Sequence, residues 1–110
     1  MTTVAINEKY ISALTLAGSL ELAVDQALQR YSIEQISDKI AELKRQIQHY
    51  EAIYKMPFGA FANETAQDPH FVEQLEANGH LTWEIDLADW EFCHYGIQDW
   101  TETLNNILLT

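Results

Sequence analysis

Ser32-Ile33-Glu34-Gln35-Ile36-Ser37-Asp38-Lys39-Ile40-Ala41-Glu42-Leu43-Lys44-Arg45-Gln46-Ile47-Gln48-His49-Tyr50-Glu51-Ala52-Ile53-Tyr54 is the stretch that decides the fold class. Its members Ile33, Ile36, Ile40, Leu43, Ile47, Tyr50 and Tyr54 recur at steps of three, four, three, four, three and four. That is a heptad stripe along one side of an α-helix. Upstream, Leu20, Val24, Ala27, Leu28 and Tyr31 carry the apolar side further, and no Gly or Pro interrupts the chain from Ser19 to Lys55. Ser32-Ile33-Glu34-Gln35 has the form of a capping box that could start a separate helix. The unbroken stripe favours one long helix instead. Pairs such as Glu42 with Arg45 and Glu51 with Lys55 fit its solvated flank. The stripe admits two seams, one against the C-terminal helix of the same chain and one against a second chain. Ile33, Ile40 and Ile47 share one seam position, where β-branched residues suit a two-stranded parallel coil.

Before this helix, Thr2-Thr3-Val4-Ala5-Ile6-Asn7 alternates polar and apolar residues, which predicts a short strand with Val4 and Ile6 on one side. Asn7 is a helix N-cap for Glu8 to Ala17, Gly18 closes that helix, and Ser19 caps the next. After the long helix, Pro57 is a stop. Phe58-Gly59-Ala60-Phe61-Ala62 predicts one or two helical turns. Asp68-Pro69 opens a further helix with Phe71, Val72 and Leu75 on its face, and Asn78-Gly79 ends it. Thr82 then caps a last helical region, in which Trp83, Leu87, Trp90, Ile97, Trp100 (or Thr101), Leu104 and Ile107 (or Leu108) share one side. Gly96 sits within it as a point for a kink or a split. The class is mainly α, with one short N-terminal strand. The expected division is a dimerisation region at 1–55 and an acidic helical region at 56–110.

The order strand, helix, Gly-Ser turn, helix over residues 2–35 resembles the ribbon-helix-helix antitoxins of small bacterial toxin–antitoxin pairs. It is carried by Thr3-Val4-Ala5-Ile6-Asn7 and by Leu20-Glu21-Leu22-Ala23-Val24-Asp25-Gln26-Ala27-Leu28-Gln29-Arg30-Tyr31. Tyr50-Glu51-Ala52-Ile53-Tyr54-Lys55-Met56-Pro57-Phe58, with Trp83-Glu84 and Trp90-Glu91 downstream, also resembles bacterial proteins associated with such pairs. The resemblance implies a dimer with paired N-terminal strands and interlocked helices, and a C-terminal extension that grips and silences a toxin. The chain departs from the pattern at the outward strand face. Thr3, Ala5 and Asn7, with only Lys9 near, offer too few cations to neutralise phosphates. Operator DNA is therefore not expected to be bound by the isolated protein. Val4, Ile6, Leu28, Ile33, Ile36, Ile40, Leu43 and Ile47 are the expected dimerisation residues.

The charge is divided unevenly. All six Lys and Arg lie between Lys9 and Lys55, and the chain as a whole carries −11. From Met56 onward there is no Lys or Arg and there are ten carboxylates, so this segment holds −10 of the charge. Such a field repels nucleic acid and anionic membrane and attracts a basic partner. Large indoles stand among the acids, as interface anchors often do. Trp83, Glu84, Asp86, Asp89, Trp90, Glu91, Asp99 and Trp100 are accordingly the expected contact residues for a basic protein, best exemplified by a toxin that cleaves RNA. A plain oligomeric adaptor, a DNA mimic and an operator-binding repressor are the competing readings.

Other chemistry has little support in the sequence. Apolar residues make up 47% of the chain, which excludes simple acidic disorder, and no apolar run approaches the ~20 residues that cross a bilayer. The N-terminus has no export signal, and the one cysteine, Cys93, cannot form an internal disulfide. A reduced, cytoplasmic setting is expected. His49, His70, His80 and His94 form no metal-ligand spacing, and there is no phosphate loop, dinucleotide fingerprint or nucleophile elbow. No catalytic residue, metal or cofactor is expected.

Overall fold

The computed structural model describes residues 3–16 and 18–109. They form five helices: α1 (Glu8–Thr15), α2 (Leu20–Tyr54), α3 (Phe58–Gln67), α4 (Pro69–Ala77) and α5 (Trp83–Leu109). Among the described residues there is no strand. Residues 3–7 stay outside any element, and Asn7 is extended, with φ −62° and ψ 132°. The predicted N-terminal strand and the ribbon-helix-helix fold are therefore overturned. An alternating segment becomes a strand only when another strand takes its backbone hydrogen bonds, and every later element of this chain is a helix. Thr2 and Ala17, counted in the predicted strand and first helix, lie outside the described residues.

Local signals explain where the helices begin and end. Asn7 Oδ1 accepts from the Lys9 amide at 3.0 Å, and Ser19 Oγ accepts from the Leu22 amide at 3.1 Å. Asp68 caps α4 by accepting from the His70 and Phe71 amides, with Pro69 next in line. At the other end of α4 the amides of Gly79 and His80 donate to the carbonyls of Glu76 and Leu75. Gly79 sits at φ +88°, the left-handed turn such a C-cap requires. α2 is one helix of 35 residues, so the unbroken stripe prevails over the capping box at Ser32. Lys55 ends it with φ +58°, a conformation non-glycine residues adopt at a cost of about 1–2 kcal/mol. Pro57 forbids further helix two residues on. α5 runs unbroken through Gly96, and α3 extends to ten residues, longer than the predicted turns.

The chain divides into two compact units, Met1–Gln35 and Ile36–Thr110. The division falls within α2, because the C-terminal part of that helix supplies half of the second unit's core. In this unit α2 and α5 run antiparallel. Leu43 lies against Gly96, where a Cβ would come within 3.1 Å of Leu43 Cδ1. Tyr50 donates to Asp89 and Tyr54 to Asp86, each at 2.5 Å. α3 packs on both α4 and α5. Tyr50, Tyr54, Phe61, Leu75 and Trp90 form the centre, and Ile47, Met56, Phe58, Phe71, Trp83 and Leu87 pack around it. The Trp90 ring lies 5.3 Å from Phe61, 5.7 Å from Tyr50 and 5.9 Å from Phe58.

The heptad seam thus belongs to the chain's own α5. Ile36 and Leu43 are buried and Ile47 packs on the core cluster, with Ile40 half-buried. A parallel coil with a second chain along Ile36, Ile40, Leu43 and Ile47 would have to displace α5. In the first unit, which contains α1 and the start of α2, no described residue is buried.

Candidate functional site: a carboxylate-flanked apolar stripe on α5

Helix α5 is apolar on two sides, and the core buries only one of them. Trp90 and Cys93 are buried, with Asp86, Leu87 and Ile97 half-buried around them. At 100° per residue the opposite side carries Ile85, Ala88, Phe92 and Tyr95 at steps of three, four and three. All four are exposed, Ile85 to 71% and Phe92 to 66%. Leu81, also exposed, stands just ahead of the helix at the same end. Glu84 and Glu91 flank this stripe one helical step away, and Asp99 continues it toward the C-terminus; all three are exposed. α5 has no Lys or Arg. An apolar ridge among carboxylates is suited to a protein surface that is apolar in the middle and cationic at the edge.

The predicted contact residues separate into three groups. Trp90 is 0% exposed and belongs to the core, so it is corrected from anchor to scaffold. The reason is its position on the same side of α5 as Cys93, facing Tyr50 and Phe61. Asp86 and Asp89 accept the phenolic hydrogen bonds of Tyr54 and Tyr50 and so join α5 to α2. Trp83 is half-buried, packs on the core and points its Nε1 toward Glu76 Oε1 at 3.4 Å. Glu84, Glu91, Asp99 and Trp100 remain open to a partner, Trp100 at 37% exposure. Ile85, Phe92 and Tyr95 were missed by the sequence reading. The signal was present, since their spacing is as regular as that of the buried side.

The other reactive groups are built into the packing. The Cys93 thiol is buried, and burial foremost, with the Asp89 charge adding to it, pushes its pKa up. A thiol so placed is a poor nucleophile. His94 stacks on Phe58 at 4.7 Å and His80 lies 5.2 Å from the Tyr54 ring. Among the described residues no group of three or more His, Cys, Asp or Glu could hold a metal ion, and no single helix is long and apolar enough to cross a membrane.

The two phenols carry a pH dependence. Burial first, then the hydrogen bonds to Asp89 and Asp86 and their charges, raises both the Tyr50 and Tyr54 pKa above the ordinary tyrosine value. Below about pH 10 both folded and unfolded chains keep these protons, and the stabilisation is complete. Above that pH the unfolded chain releases them while the folded chain does not, so stability falls as pH rises. The expected slope is on the order of 1 kcal/mol per pH unit for each tyrosine. Urea titrations between pH 9 and about 11 check it. The Tyr50→Phe, Tyr54→Phe double variant should lose distinctly less stability over the same range than the parent, and an equal loss would refute the assignment.

No known family model, curated protein or solved structure matches the chain.

Proposed function

We propose that this protein is an antitoxin-like inhibitor. It binds a basic protein, one that itself acts on RNA, through the outward face of α5, and works in the reducing interior of the cell. The observation that carries the reading is the exposed stripe Ile85–Ala88–Phe92–Tyr95 set among Glu84, Glu91 and Asp99 on a helix free of cations. An RNA-cleaving protein presents cations to phosphate, and a carboxylate-edged surface meets those cations much as the substrate does. Long-range attraction accelerates encounter, and the apolar stripe slows release.

The test is co-expression with the product of the gene beside its own. That product, expressed alone, should arrest growth, and this chain should restore growth and copurify with it. Association should slow as ionic strength rises from about 0.1 M to 1 M, where the screening length shrinks from about 10 Å to 3 Å. A complex whose association rate ignores salt, or a neighbour that is harmless alone, would oppose the inhibitor reading and favour a purely structural assembly.

A further inference from the structure

We propose that a second copy of this chain covers an apolar groove in the N-terminal unit. The groove has a volume of about 440 Å³ and is lined chiefly by Val4, Ile6, Tyr10, Leu14, Val24 and Leu28. Three observations, none taken from α5, lead to this occupant. The first is the missing core. The unit spans 35 residues, and none of those described is buried. Units below about 40 residues ordinarily need disulfides, a metal or association to hold their shape. The one cysteine lies in the other unit, and no metal-holding cluster exists among the described residues. Association is the remaining means.

The second observation is charge. The groove lining contains no carboxylate and no cation. The unit as a whole has four carboxylates against two cations, net −2, whereas residues 36–110 hold the other −9. Two copies of a chain this acidic meet with least repulsion here. A cationic partner would gain nothing from this lining, so the occupant is uncharged and apolar.

The third is self-complementarity. Val4 is 78% exposed and Leu28 60% exposed beside a hollow of matching chemistry, so protrusion and receptor occur on one surface, as a two-fold interface requires. A dimer of this kind would carry two α5 faces, a consequence that rests on the proposed function; the dimer itself does not.

Sedimentation velocity of the purified full chain tests the proposal. The parent should be a dimer at tens of micromolar. Leu28→Asp and, separately, Val4→Asp should raise the dimer dissociation constant at least about 30-fold, the scale of an interface hot spot. The near-ultraviolet dichroism of the Trp90 core should stay unchanged in both. Val4→Asp lies outside any helix and decides the matter if Leu28→Asp disturbs α2. Phe92→Ser should remain dimeric, which separates this surface from the one on α5. A monomeric parent, or a dimer that persists in both Asp variants, would overturn the proposal.

Discussion

Trp90→Ala should remove about 3–5 kcal/mol of stability, the range for deleting a large aromatic side chain from a packed core. For a domain whose total stability is about 5–15 kcal/mol, that is about a third or more of the whole at the midpoint of the range. The size follows from where the ring sits. Trp90 has no exposed surface and lies within about 6 Å, centroid to centroid, of Tyr50, Tyr54, Phe58 and Phe61. Those residues come from α2 and α3, so one truncation on α5 loosens three helices together. Trp90→Phe should be far milder, about 1 kcal/mol. It keeps most of the packing and discards an indole N–H that is buried without an acceptor, a group whose burial carries its own cost. Urea unfolding followed by near-ultraviolet dichroism measures both variants. A loss under about 1 kcal/mol for the Ala variant would mean that residue 90 faces solvent and would restore it as a contact residue.

The sequence made the helices legible and left the assembly undecided. Helix ends were written in local chemistry: Asn7, Ser19 and the Asp68-Pro69 pair accept or terminate hydrogen bonds within four residues of themselves. The heptad stripe from Ile33 to Tyr54 predicted a seam, whose buried members begin at Ile36, but could not name its partner, since periodicity records that one side is apolar and not what covers it. Pairing of Leu43 with Gly96 and of Tyr50 with Asp89 spans 53 and 39 positions of sequence, respectively, and no local rule reaches so far. The N-terminal segment failed for the opposite reason. Val4 and Ile6 alternate as a strand would, but alternation supplies no partner for the backbone. At the candidate site, attention fell on the tryptophans because size marks anchors. α5 carries two apolar stripes, and the larger side chain, Trp90, went to the core, where its area is worth most. The smaller stripe of Ile85 and Phe92 was left to the surface.

That exchange of roles fixes what the decisive binding variant must be. Phe92→Ser, and more strongly Ile85→Ser with Phe92→Ser, should weaken capture of the basic partner by at least about 30-fold, equivalent to roughly 2 kcal/mol from a central aromatic contact. Both side chains are largely exposed in the free protein, so their removal should change its stability by no more than about 0.5 kcal/mol. The loss should appear in the dissociation rate, because the apolar stripe acts after contact is made. Glu84→Gln with Glu91→Gln should behave differently. Those carboxylates flank the stripe, so their neutralisation should slow association, and the difference from the parent should shrink as salt is raised. Surface-immobilised partner and stopped-flow mixing resolve the two rates. An affinity untouched by Phe92→Ser, or a Glu84→Gln, Glu91→Gln variant whose association is as fast and as salt-sensitive as the parent's, would remove α5 as the gripping surface and leave its carboxylates as ordinary solvated charges.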